Sequence, residues 1–390
     1  MADHPGTLPG MELSFLRGLY DTPGPWASVY LDATHNTEDA RATLKIRWKG
    51  LRESLHDQGI DKPTLRALET ELIDDRTLRA LDTTEVEVTP HPGRHGLAMF
   101  AAAGEVRHAE MLSDPPPSDS AQFQPLPHLT PLLIDRGEHI PWLRVIVDRI
   151  GADVQDPAHE IIKAEGNRSY PIRRPHRGGW SQDHLQRAAE NTWQHNAKEV
   201  ARQVDKHAVS IGAEMIIVAG DVRATQLLVD QLPERWRDKV IQTEAGSRAR
   251  GADLSSVEEV SRQAIADYVA RRKSGVIDRF RQGGGENAAV GPRAAVAAFD
   301  RHQVDTLLMD PDDIAKAELW VGSDPSQLAI DEEGSQQTAG STQRVHAEDA
   351  LMRAAAYTDA ELVLVSADDV RLDDGVGAVL RYVDPSTVRA

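Results

Sequence analysis

The 390-residue chain reads as a multidomain protein of α/β and α+β class, and three observations give that class. Short apolar runs rich in β-branched residues alternate with long helical patterns, the mark of layered βα units: 143–147 (Leu-Arg-Val-Ile-Val), 213–220 and Val304–Met309 are the clearest runs. At roughly 100–200 residues per domain the length provides for two or three domains. Hydrophobic residues at 40% and charged residues at 27% suffice for ordinary cores.

In chain order, a short amphipathic stretch at 11–20 precedes the turn residues 22–25 and a strand at Trp26–Asp32. A helix follows from residue 36 or 37 to Gly59, with Leu44, Trp48, Leu51 and Leu55 spaced 4, 3 and 4 apart as its buried stripe. A second helix is expected over 62–81, opened by Pro63, then strands at 85–88, Gly96–Ala102 and Glu105–Leu112, with a turn at 91–93. The proline run 115–117 marks a stiff boundary. The middle of the chain offers strands at 143–147 and 151–154, a glycine- and charge-rich loop at 165–182, and a long helix from Asp183 to about His207. That helix has a seam of Ala189, Trp193, Ala197, Val200 and Val204. A strand at 213–220, a helix at 223–231, a strand at 239–243 and a helix from Ser255 complete its βα alternation. The last part predicts a helix near Gly291, strands at Val304–Met309 and 319–321, a polar and mobile segment at 323–343, a helix at 346–357, and strands at 360–366 and 376–382. The expected domains are 1–128, 129–272 and 273–390.

Composition excludes several chemistries. Lys and Arg number 44 against 62 Asp and Glu, a formal charge of −18 that repels phosphate and opposes non-specific coating of nucleic acid. It leaves room for a local basic patch. With no cysteine there is no disulfide, thiolate nucleophile or Cys-ligated zinc. No run of about 20 apolar residues and no signal-peptide pattern is present, so no membrane partner and a cytoplasmic location are expected. The sequence has no HExxH, GxSxG or GxxxxGK[ST] motif. The triple glycine 283–285 lacks the lysine of a phosphate loop and reads as a permissive turn. His184 and His195 would share a helical face, but no carboxylate stands at metal-ligand spacing, so they read as a solvated or RNA-facing pair. No metal site and no cofactor are expected.

The segment 173–182 carries the chemistry. Arg173, Arg174, His176 and Arg177 form a cationic tip in an otherwise acidic chain. Gly178 and Gly179 allow close backbone approach, and Trp180 offers a stacking face for an unpaired base. Ser181 is placed to cap the following helix, aiming its positive end toward the loop, with Gln182 beside it. A second cationic row, Arg41, Lys45, Lys49 and Arg52, lies on the first long helix away from its apolar stripe and could track an RNA backbone. A solvated helix face is the alternative for that row.

A basic Gly-Gly loop followed by a long helix and a strand–helix–strand pattern resembles the middle domain of archaeo-eukaryotic release factors. The stretch 283–309, from the glycine-rich entry to the Val-Asp-Thr-Leu-Leu strand, is similar to that family's third domain. So is the closing Asp374-Gly-Val-Gly-Ala-Val-Leu-Arg-Tyr382. The ordered set, over about 140–385, resembles the bacterial branch of the family, related to Pelota, to Vms1-type peptidyl-tRNA hydrolases and to Balon-type ribosome hibernation factors. The resemblance implies an RNase H-like middle domain and an L7Ae-like C-terminal domain. It further implies binding in the ribosomal A site, with contacts to 16S rRNA at the decoding centre and 23S rRNA at the peptidyl-transferase centre. Elongation factor Tu or another translational GTPase is the implied partner, and stress-linked hibernation the implied role.

The family's catalytic tripeptide is Gly-Gly-Gln, whereas here Trp180 and Ser181 separate Gly179 from Gln182. A misplacement of about 1 Å can cost on the order of a hundredfold in rate. The expectation is therefore binding without peptide release and no catalytic residue. Whether the chain is an enzyme stays open. The alternative is a peptidyl-tRNA hydrolase or tRNA-end nuclease with Gln182, Ser181 or His176 as participants.

Overall fold

The computed structural model describes residues 10–34, 40–73, 95–138, 140–156, 161–165, 180–246, 248, 254–283, 287–336 and 342–383. These fall into two compact units. One holds the described residues up to 138 together with those from Val269 onward, and the other holds the stretch from 140 to Tyr268.

The first unit begins with β1 (Met11–Glu12), α1 (Arg17–Tyr20) and β2 (Trp26–Asp32), then α2 (Ala40–Asp57) and α3 (Lys62–Ile73). β3 (Gly96–Ala102), β4 (Glu105–Leu112), β5 (Ser120–Gln124) and α4 (Thr130–Glu138) follow. β5 and α4 have no counterpart in the sequence expectations. The expected continuation of α3 to 81, the strand at 85–88 and the turn at 91–93 lie outside the described residues. Four strands pair antiparallel in the order β4-β3-β2-β5.

The two central strands of this sheet are buried on both faces, and the period-two alternation of a strand divides them. Ala27, Val29, Leu31, Leu97, Met99 and Ala101 pack on the α2 stripe Leu44, Trp48, Leu51 and Leu55 and on Leu65, Leu68 and Leu72 of α3. Trp26, Tyr30, Ala98, Phe100 and Ala102 face the opposite way, into a core shared with C-terminal residues such as Leu307, Leu351 and Leu362.

The second unit is a five-stranded sheet of order β10-β9-β6-β7-β8. Its elements are β6 (Trp142–Val147), β7 (Gly151–Gln155), β8 (Ile161–Glu165), α5 (Trp180–Ser210), β9 (Met215–Gly220), α6 (Val222–Gln231), β10 (Val240–Thr243) and the first part of α7 (Ser255–Gln282). β6, β9 and β10 run parallel, while β7 and β8 form an antiparallel meander. One face packs on α5 and α6 through Val200, Val204, Ala224 and Leu228. On the other, Ile146 and Ala219 meet Val257 of α7.

The remainder of the first unit comprises β11 (Ala288–Val290), α8 (Gly291–Asp300), β12 (Val304–Met309), α9 (Pro311–Ile314), β13 (Glu318–Val321), β14 (Leu328–Ala329), α10 (Glu332–Gln336) and β15 (Gln343–His346). It closes with α11 (Ala347–Tyr357), β16 (Glu361–Leu364) and β17 (Val376–Leu380). The main sheet runs β1-β16-β12-β17-β11, so residues from the start of the chain supply an edge strand to a sheet made by its end. Within the segment expected to be polar and mobile, β14 joins a three-stranded β14-β13-β15 sheet and Leu328 and Ser335 are buried. That corrects the expectation for 323–336, where apolar Leu328 and Ile330, dispersed among polar neighbours, are enough to dock the chain.

A polar joint sits where the N-terminal sheet meets α11. Gln124 Nε2 donates to Asp349 Oδ2 at 2.7 Å, and Thr130 Oγ1 donates to Glu348 Oε2 at 2.5 Å. Burial opposes a charge on His128, but the Asp349 and Glu348 carboxylates beside it outweigh that and raise its pKa to about 9. Burial pushes Asp349 above the usual carboxylate range despite the neighbouring imidazole.

Candidate nucleic-acid interface

α5 carries the described backbone of the 173–182 segment, from Trp180 onward. It has 31 residues, and its described side chains bury a seam of Trp193, Ala197, Val200, Ala201, Val204 and Ala208 against the sheet. At 1.5 Å rise per residue, the thirteen steps from Trp180 to Trp193 carry the helix start about 20 Å along the axis from the Trp193 contact. The anchoring end is fixed by polar contacts as well as by the seam. The Arg149 guanidinium lies 4.6 Å over the Trp193 ring and 3.2 Å from Asp221 Oδ2, and Asn196 Nδ2 donates to the Arg149 carbonyl at 3.0 Å. Asp221 also caps α6, its Oδ1 accepting from the Arg223 and Ala224 amides at 3.1 Å. Gly220 precedes it at φ +121°, where a Cβ would stand 2.2 Å from the Val147 carbonyl oxygen; only glycine lets β9 end this close to β6. Farther along α5, His207 Nε2 lies 3.2 Å from Asp156 Oδ2.

Sequence reasoning missed this corner at the carboxyl ends of β6 and β9. The Gly220-Asp221 pair after a buried strand was the available signal, but Arg149, Trp193 and Asn196 come together only in the fold.

The tip itself is only partly described. Arg173, Arg174, His176, Arg177, Gly178 and Gly179 lie outside the described residues, as do the side chains of Trp180, Ser181, Gln182 and His184. The backbone of the last group is informative. α5 starts at Trp180 rather than Asp183, so Ser181 and Gln182 belong to its first turn. This corrects the expected capping role for Ser181: a residue already inside the helix is not its N-cap. His195 is exposed on the same helix.

The second cationic row divides. On α2, Lys45 and Lys49 are exposed, while Leu44 and Trp48 beside them are buried. Arg52 is engaged, its Nε 2.7 Å from Glu69 Oε1 on α3. The Arg41 side chain lies outside the described residues. Arg47, which no sequence pattern singled out, bridges Asp32 and Asp119 at 2.8 and 2.9 Å and fastens α2 to the N-terminal sheet.

Residues 141–286 match the model of bacterial archaeo-eukaryotic release factor family 2. The Mycobacterium tuberculosis proteins MT2704 and Rv2629 are each 29% identical to the chain over 380 residues, spanning 94% of this chain and 96% of theirs. Among solved structures, Dom34 of S. cerevisiae, described as a translation termination-like factor interacting with Hbs1, covers 97% of this chain and 95% of its own at 9% identity and a TM-score of 0.42. A ribosome-bound archaeal Pelota with ABCE1 covers 98% of each chain at 14% identity and a TM-score of 0.36. No helix among the described residues is long and apolar enough to cross a membrane.

Proposed function

We propose, from the match of residues 141–286 to the model of bacterial archaeo-eukaryotic release factor family 2, that the chain is a ribosome-binding, release-factor-like translation factor that occupies the A site without releasing peptide. Its tip at 173–182 enters the peptidyl-transferase region of 23S rRNA, while Lys45 and Lys49 face 16S rRNA near the decoding centre. Holding idle ribosomes in a hibernating state under stress is the role that suits such a factor, with a translational GTPase such as elongation factor Tu as its delivery partner. The division into domains 1–128, 129–272 and 273–390, with RNase H-like and L7Ae-like labels for the last two, is part of the same proposal.

The family match carries this reading, because it covers the tip and the helix that bears it. The start of α5 supports the non-hydrolytic half: Gln182 is the third residue of a helix, held in helical backbone instead of standing at a loop apex. A single-turnover assay tests that half. Ribosomes carrying peptidyl-tRNA should keep the ester intact when the protein is added, over times in which a true release factor empties them. Hydrolysis abolished by Gln182→Ala would establish the peptidyl-tRNA hydrolase alternative instead.

A further inference from the structure

The joint between the N-terminal sheet and α11 is organised beyond the needs of packing. His128 Nδ1 lies 3.3 Å from Glu348 Oε1 and 3.6 Å from Asp349 Oδ1, and the three donor atoms all lie within 4.8 Å of one another. Asp349 is 1% exposed. Both Asp349 Oδ1 and His128 Nδ1 are buried and, although within ion-pair distance of each other, form no well-aligned hydrogen bond. Burying polar atoms in that state is costly and rare. Here they share one point of aim.

The surrounding contacts keep them aimed. Thr130 and Gln124 occupy the outer oxygens of Glu348 and Asp349, leaving Oε1 and Oδ1 turned toward the imidazole. The His128 amide donates to Ser28 Oγ at 2.9 Å, and its carbonyl accepts from the Tyr30 hydroxyl at 2.7 Å, which fixes the backbone on both sides. Outer partners that orient inner donors are the usual second layer of a metal site. The two imidazole–carboxylate distances agree with this: tetrahedral ligands about 2.0–2.2 Å from a zinc ion stand roughly 3.3–3.6 Å apart. Two carboxylates balance a 2+ charge, and one imidazole completes an oxygen- and nitrogen-rich set suited to a divalent transition metal.

We propose that His128, Glu348 and Asp349 bind one divalent cation of the zinc class, with solvent completing its coordination. The ion clasps the exit of the N-terminal sheet to the first turn of α11, joining parts of the chain that the Thr130–Glu348 contact shows to be 218 positions apart. Sequence spacing could not show such a site, because Glu348 and Asp349 are adjacent but their histidine is distant.

The test uses the full chain, stripped with a chelator, dialysed, and titrated with Zn2+ alone, with bound metal measured by mass spectrometry. Co2+ serves as a spectroscopic stand-in. The expected result is one tightly held zinc per chain, a four-coordinate Co2+ absorption, and a higher melting temperature with metal. His128→Gln and Asp349→Asn should abolish the stoichiometric uptake. Should those variants fail to fold, Gln124→Ala and Thr130→Val provide the check, since loss of an outer partner should weaken affinity about 10–100-fold. Absence of stoichiometric uptake by the wild-type chain overturns the proposal. So does uptake that folded His128→Gln and Asp349→Asn retain, or that the outer-partner variants leave unchanged. The joint would then be a protonated imidazole held between two carboxylates.

Discussion

The buried joint at His128 and the exposed row on α2 put charges to opposite uses. At the joint, Glu348 and Asp349 are taken out of water and answered by an imidazole, a hydroxyl and an amide, so their charges specify which surfaces meet. On α2, Lys45 and Lys49 stay solvated, while Arg47 and Arg52 of the same helix are engaged by acidic neighbours. A charge already satisfied within the fold has little left for a partner. The difference separates charge engaged within the fold from charge left exposed on one helix, and it can be pressed from both sides.

The largest effect is expected at the joint. In the metal-free chain, His128→Ala leaves two buried carboxylates without the imidazole that answers them and should cost about 3–5 kcal/mol in urea unfolding, as for a broken buried pair. A loss below about 1 kcal/mol would mean that the joint opens to water and does not specify the interface. Next comes a contrast of two tryptophans. Trp48→Ala should cost about 3–5 kcal/mol of stability, because its side chain is 4% exposed in the α2–sheet core. Trp180→Ala should change stability by about 0.5 kcal/mol or less and instead weaken ribosome binding by about 1–3 kcal/mol, the worth of a base stack. A destabilised Trp180→Ala would return that residue to packing and leave the arginines to serve the tip alone.

Smaller effects sharpen the division on α2. Arg52→Ala should cost about 0.2–1 kcal/mol of stability, the range of an exposed ion pair with Glu69, and leave ribosome affinity unchanged. Lys45→Glu with Lys49→Glu should leave stability within about 0.5 kcal/mol while lowering affinity and flattening its salt dependence. The opposite assignment, with Arg52 governing binding and the lysines silent, would remove α2 from the interface as drawn.

Much of the fold was legible where local pattern decides it. The α2 stripe, the Trp193–Val204 seam and the strands 26–32, 96–102, 215–220 and 304–309 all follow from periodicity and β-branched content. What stayed hidden depends on distant partners. β5 is polar and only half-buried, so its ladder with β2 leaves no hydrophobic signature. A strand buried on both faces, such as β3, announces burial without saying what covers it. The docking of the N-terminal sheet on C-terminal core residues was invisible for that reason. The tip is proposed from composition alone, since charge, glycine and an aromatic cluster locally. The start of α5 could not be read that way, because Ser181 looks like a cap wherever the helix begins. Arg149 and Asn196, by contrast, carry no pattern until the sheet brings them to Trp193.

Co-sedimentation with 70S ribosomes across a salt series, wild type beside Arg173→Glu/Arg174→Glu/Arg177→Glu, tests the proposed interface most directly. Wild-type binding should fall steeply as salt rises, because each phosphate contact releases counterions. The triple variant should bind more weakly and with a shallower slope. Equal binding by both chains at every salt concentration would contradict a ribosome interface centred on the 173–177 tip.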